Sequence, residues 1–161
     1  MTRRQARDIS ILVSSVAADL DEDRPAAFGF ECPLYVPFSR NPGELTAQRP
    51  GERGRPWSAA GGAASLATGL AETVWILQRL IDRLQGPAQA FLAWQTEIGR
   101  GLFLWEAMVT GKAKGASHEE DSEIAVRAFR SWASGAAAPD AAVASEVHSL
   151  IGAALLRTGW K

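Results

Sequence analysis

Three carboxylates are set in places where a charge has work to do. Glu31 closes the apolar run "AAFGFEC", Glu106 lies near the end of "GLFLWEAMV", and Asp121 belongs to the acid cluster of "SHEED". An unpaired ionised carboxylate is costly to bury. Glu31 and Glu106 must therefore be protonated, paired with a cation or bound to metal. Three carboxylates meeting in a crevice are what hard divalent cations use. Mg²⁺ takes oxygen ligands and commonly keeps water and substrate phosphate as well. Two such ions can clamp the attacking and leaving oxygens of a phosphodiester displacement. The competing reading for Glu31 and Glu106 is an ion pair with an arginine, for which Arg49, Arg53 and Arg55 are available. For Asp121 it is the preference of acids for the first turn of a helix.

The surrounding pattern says what must hold these groups. Over residues 4–20, Ile9, Leu12, Val13, Val16 and Leu20 recur at gaps of three and four, which marks one helical face. Pro25 ends that helix, and "AAFGFEC" reads as a buried strand closed by Pro33. "LYVPF" can continue the chain, but Pro37 confines it to a sheet edge or a loop. A second helix is expected from Ser65 to Leu84, with Leu66, Leu70, Val74, Leu77 and Ile81 on its stripe and Gly86-Pro87 as its stop. "AQAFLAWQTEI" is read as a short helix and "GLFLWEAMV" as a strand between Gly101 and Gly111. Ser117 and Glu120 have the spacing of a capping box, so a helix opens there and runs to about Ser134. A last helix carries Val143, Val147, Leu150, Ile151, Ala154 and Leu155 and ends near Gly159.

Helix geometry then sorts the acids of the cluster. Glu120 fits the cap, and Glu123 with Arg127 makes an i,i+4 pair on a solvated face. Asp121 shares a face with Ala125, Ala128 and Trp132 and is the acid expected to turn inward. Two apolar strands with helices between them suggest parallel neighbours in an α/β layer fold. Ligands of such sheets bind beyond the carboxyl ends of the strands, where Glu31 and Glu106 would lie.

Residues 39–64 combine Arg40, Arg49, Arg53 and Arg55 with prolines and glycines and few aliphatics. A stretch of this length without its own structure is usually a functional or a disordered loop. The functional version is a basic flap that covers a site and holds an anionic ligand, with Arg49, Arg53 and Arg55 as substrate contacts. Lys112 and Lys114 of "GKAKG" are further candidates for phosphate, although a solvated loop is the better reading of them. Cys32 reads as a small buried hydrophobe. His118 and His148 are the only histidines and have no zinc-ligand spacing with Cys32. His148 reads as a histidine at the edge of the core. The chain has no nucleophile elbow, phosphate-binding loop or dinucleotide fingerprint.

At 161 residues with 47% apolar and 22% charged side chains, the chain suits one domain with an ordinary core. A formal charge of -1 gives no bulk attraction to a polyanion. One cysteine rules out an internal disulfide and fits a reducing compartment. No apolar run approaches the ~18 residues of a membrane helix. The basic start "MTRRQARDISILVSS" lacks the apolar core and cleavage site of a signal peptide. The expectation is a cytoplasmic protein with no membrane association.

The order "FGFECPLYVPF", "RPGERGRPWSA", "LFLWEAMVTG" and a C-terminal helical pair resembles the predicted nucleases of the RNase H-like superfamily, in an uncharacterised prokaryotic branch. The resemblance spans roughly residues 5–160 and rests on strand-end acids and helix order. It implies an α/β fold of the RNase H-like layered type, with a small mixed sheet flanked by helices, as a single domain over residues 1–161. It assigns Glu31 to the acid ending a central strand, Glu106 to a second strand acid, and Asp121, or less well Glu146, to the acid of a C-terminal helix. These would hold Mg²⁺ or Mn²⁺ for phosphodiester hydrolysis. The family also opens with a three-stranded antiparallel meander whose first strand carries a central Asp, and has an Asp near the position of Ser149. This chain begins at the helix after the meander. The resemblance thus implies a truncated or misplaced start, or a lost ligand, and a sheet edge that invites pairing with another copy.

Three readings follow. The first is a metal-dependent nuclease or its degenerate remnant, with nucleic acid as partner. The second is a non-catalytic binding or assembly protein on the same fold, using the arginine loop and the sheet edge to form a homo-oligomer. The third is a small-molecule enzyme with Glu31 or Glu106 as general base and an arginine clamp.

Overall fold

The computed structural model describes residues 8–37, 41–49, 56–59, 61–91, 101–109, 111–135 and 147–160. The elements in order are α1 (Ile9–Asp21), β1 (Ala26–Phe30), β2 (Tyr35–Pro37), α2 (Gly61–Ile81), β3 (Gln89–Phe91), β4 (Gly101–Glu106), α3 (His118–Ala133), β5 (Val147–Ser149) and α4 (Gly152–Thr158). The fold is mixed α/β, with a small parallel three-stranded sheet flanked by helices. Its strand order is β1-β4-β3, and a separate two-stranded sheet pairs β2 with β5. The parallel neighbours expected from the two apolar runs are β1 and β4. The antiparallel pairing lies in the second sheet, so the main sheet is not itself mixed.

The chain divides into two compact units. The first comprises residues 1–28, 72–104 and 152–161, and the second residues 29–71 and 105–151. In the first unit α1 is capped by Asp8, whose carboxylate accepts from the Ser10 N–H at 2.7 Å. The helix buries Val13, Val16, Ala17 and Leu20 and leaves Ile9 outside. Ile76, Leu77 and Leu80 of α2 are buried with Leu102, Phe103 and Leu104 of β4. Trp160 is also buried, and its indole N–H donates to the Leu77 carbonyl at 3.2 Å. The carboxylate of Asp21 accepts from the Gln85 N–H at 3.1 Å.

A segment of each of two expected helices is a strand; of the first, residues 92–98 lie outside the described residues, and of the last, Gly152–Thr158 is helical as expected. Gln89–Phe91 pairs in parallel with β4, with Gln89 opposite Gly101 and Phe91 opposite Phe103. A short apolar run does not distinguish helix from strand by period, and tertiary pairing decides it. Val147–Ser149 pairs antiparallel with β2, with Tyr35 opposite Ser149. The Leu150 N–H continues that ladder to the Leu34 carbonyl at 2.8 Å, so α4 begins only at Gly152. Val143, the first member of the expected stripe, lies outside the described residues. β2 sits in a two-stranded sheet, where Pro37 costs no ladder bond on an outer edge.

The second unit packs Phe30, Cys32, Leu34, Val109, Phe129 and Ile151 as its apolar interior. Cys32 is a buried thiol, as expected of a small apolar side chain. Gly29 allows close approach of strand and ring. A Cβ at that position would lie 2.7 Å from the Trp105 indole and 2.8 Å from the Ala107 methyl. Trp105 in turn stacks on Phe129 of α3, with ring centroids 4.9 Å apart and planes inclined by 19°. Among the described residues no helix is long and apolar enough to cross a membrane.

Candidate metal centre

β1 and β4 deliver their carboxylates in different ways. The Ala107 N–H donates to the Phe30 carbonyl at 2.8 Å, which carries the pairing of β1 and β4 to the strand ends. Beyond it, Glu106 turns to Arg49. One guanidinium nitrogen lies 2.6 Å from Oε1 and the other 2.9 Å from Oε2, a bidentate pair. Oε1 also accepts from the backbone N–H groups of Leu34 at 2.6 Å and Tyr35 at 3.1 Å. The Arg49 guanidinium makes a further bond, at 3.0 Å, to the Tyr35 carbonyl. Only 6% of the Arg49 side chain and 18% of that of Glu106 is exposed. Burial pushes the Tyr35 phenol up to about 12, and the negative charge of Glu106 adds to the effect. Glu106 is thus an anchor for β2 and for the segment around Arg49, with both oxygens occupied.

Glu31 and Asp121 have a different setting. Glu31 follows the last residue of β1 and is 47% exposed. Asp121 lies in the first turn of α3, and the reason it faces inward is the helical period. Asp121, Ala125 and Phe129, at steps of four, are the buried residues of this helix. The Ser117 hydroxyl caps α3 by accepting from the Glu120 N–H at 3.2 Å. The reciprocal arm of the box falls one residue early, because the Glu120 carboxylate accepts from the Ala116 N–H at 2.7 Å. Asp121 takes the N–H before that, from Gly115, on Oδ1 at 2.7 Å. Its other oxygen, Oδ2, is buried without a hydrogen-bond partner, in a residue only 3% exposed.

His118 completes the group. Its Nδ1 is 3.5 Å from Glu31 Oε2. Glu31, His118 and Asp121 each offer one ligand atom, and these atoms lie within 4.8 Å of one another. Two ligand atoms bound ~2.1 Å from one ion are at most about 4.2 Å apart. Held at tetrahedral angles they are about 3.4 Å apart. The widest pair would therefore close by up to about 1.4 Å to hold a cation of the zinc type, and the side chains that can swing are Glu31 and the 86% exposed His118. Two carboxylates and an imidazole are a donor set that fits a divalent metal, and the orphaned Asp121 oxygen is the atom such an ion would satisfy.

Of the three acids singled out by sequence, Glu31 and Asp121 come together and Glu106 is committed to Arg49. His118 was missed as a ligand, although its place three residues before Asp121 puts both on the first turn of one helix. Lys112 and Lys114 are exposed, in and just after a 3₁₀ turn at Gly111–Ala113. That turn leads into Gly115, which binds Asp121. Arg53, Arg55 and Glu146 lie outside the described residues, and the His148 backbone is part of β5.

No protein-family model, curated protein or solved structure matches this chain.

Proposed function

We propose that this chain is a metal-dependent hydrolase of phosphodiester bonds with an RNase H-like fold, and that Glu31 and Asp121 are its metal-holding carboxylates. The observation that carries this reading is their meeting. A strand-end acid and a helix acid distant in sequence meet in one group, and one or two carboxylates with water and substrate phosphate are what Mg²⁺ or Mn²⁺ sites of phosphoryl chemistry use. A parallel strand pair ending at Glu31 and Glu106, with a later helix bringing Asp121, is the arrangement from which the RNase H-like assignment draws support.

A bound divalent ion would supply Lewis acidity at a phosphoryl oxygen and a more acidic water. The chain's own residues do the positioning. Gly115 fixes one oxygen of Asp121 and so aims the other. Lys112 and Lys114 present positive charge on the loop that leads into this contact, where the phosphates of a nucleic acid would lie. Glu106 and Arg49 hold β2 and the end of β4 in place.

The alternative, a non-catalytic binding or assembly protein on the same fold, draws its support from Glu106. A carboxylate bound bidentate by a buried arginine is not free to ligate a metal in a three-acid site. The test is cleavage of labelled RNA, DNA and hybrid oligonucleotides with Mg²⁺ or Mn²⁺. Cleavage lost in Glu31→Gln and Asp121→Asn is the expected result. Binding without cleavage, in a stable homo-oligomer, establishes the alternative instead.

A further inference from the structure

We propose that the group formed by Glu31, His118 and Asp121 is a site for a borderline transition-metal ion of the Zn²⁺ type, with the His118 imidazole as its third protein ligand. This rests on the same group of residues as the proposed hydrolase but does not require hydrolysis.

The argument begins with the unpaired oxygen. A buried acceptor left unsatisfied costs about 1–3 kcal/mol, and more when charged. Asp121 Oδ2 is such an acceptor, in a side chain that is almost wholly enclosed. Its partner oxygen is already held by the Gly115 N–H, so a bound cation is met by a carboxylate whose direction is fixed. Acids in the first turn of a helix are common for electrostatic reasons alone. That explanation covers Glu119 and Glu120, which are exposed, but not an inward carboxylate with an empty oxygen.

The identity of the third donor decides the class of ion. Mg²⁺ demands oxygen ligands and near-ideal octahedral geometry. Imidazole favours zinc and its late first-row neighbours. His118 stands within 3.5 Å of Glu31, and the ligand atoms of both lie within reach of that of Asp121. Glu106 would have supplied a third oxygen, but Arg49 and two backbone N–H groups hold it. Three protein ligands, two of them exposed, leave coordination positions open to water, as catalytic zinc sites do. The partial positive charge at the start of α3 opposes a cation. The acids Glu119, Glu120 and Asp121 of that first turn offset it.

The experiment uses the full chain, free of any histidine tag and stripped of metal by chelation. Co²⁺ binding is followed by visible absorption, and Zn²⁺ and Mg²⁺ binding by calorimetry. One Co²⁺ per chain is expected, displaced by stoichiometric Zn²⁺ and not by a large excess of Mg²⁺. His118→Ala should weaken Zn²⁺ binding by about 100-fold or more, the upper end of what losing even an outer-shell partner costs. His118 is highly exposed, so this variant should fold; unchanged far-UV circular dichroism checks it. Glu72→Gln, an exposed acid of α2, should bind as the parent does. Equal Zn²⁺ affinity in the parent and His118→Ala overturns the site, as does displacement of Co²⁺ by equimolar Mg²⁺. Zinc uptake through His118 without oligonucleotide cleavage ends the hydrolase reading and leaves this site standing. Mg²⁺-dependent cleavage undiminished in His118→Ala ends this site and leaves the hydrolase reading standing.

Discussion

Replacing Glu106 by Gln separates its two roles, anchor and metal ligand. The substitution keeps size and hydrogen-bonding capacity but leaves Arg49 without its counter-ion at 6% exposure. Breaking a buried pair from one side costs about 3–5 kcal/mol, because the remaining charge stays desolvated. A chain of this length shifts in melting temperature by roughly 2–4 °C per kcal/mol, so Tm should fall by roughly 6–20 °C. Arg49→Met should also destabilise, though less, because Glu106 keeps the N–H groups of Leu34 and Tyr35 as donors. Combining both changes should cost less than their sum, with a coupling of about 2 kcal/mol. Urea denaturation of the four proteins measures this. A loss below about 1 kcal/mol in Glu106→Gln, typical of an exposed pair, would refute the anchor. So would full additivity, or a Zn²⁺ affinity that disappears while stability is kept.

Two further outcomes follow from geometry already described. Gly29→Ala drives a methyl group into the Trp105 indole and the Ala107 methyl. Overpacking of this kind costs about 1–3 kcal/mol, read from denaturant midpoints; an unchanged midpoint would show that Trp105 can move aside. Tyr35 is the only tyrosine in the chain, so absorbance at the phenolate band reports it alone. Its midpoint should lie near 12, as burial first and Glu106 second dictate. A phenol raised above its unfolded value, near 10, adds stability that is complete below pH 10 and disappears as pH climbs through 12. A midpoint at 10 would mean that Tyr35 is solvated.

Much of this layout was legible in the residues, and the failures share a cause. Gaps of three and four placed α1, α2 and α3 because a helix carries its own period, but the inner face of α2 is rotated from the expected stripe: Val74 is exposed, and Thr73, Ile76 and Leu80 are buried beside Leu77. Ser117 located the start of α3, and the same period turned Asp121 inward. The apolar runs of β1 and β4 announced buried parallel strands. β3 and β5 were misread because each has only three residues, and what makes them strands is a partner far along the chain. Phe91 needs Phe103 opposite it, and Ser149 needs Tyr35. At the site, the competing ion-pair reading of Glu106 identified the right kind of partner in Arg49. Which of three nearby arginines would bind could not be read from spacing. His118 escaped notice because a lone histidine beside a cap residue becomes a ligand candidate only when a strand end 87 positions earlier in the numbering arrives beside it.

The anchor at Glu106 also bears on how the chain is made. The N–H groups of Leu34 and Tyr35 are satisfied by a carboxylate 72 and 71 residues downstream. At ribosomal speeds of about 5–20 residues per second, that carboxylate is synthesised roughly 4–14 s after those groups. β5, the other partner of β2, comes later still. Until then both donors must be kept by water or by a helper protein. The stretch around Cys32 and Leu34, wholly internal at the end, is among the last parts of the nascent polypeptide that can be shut away from solvent.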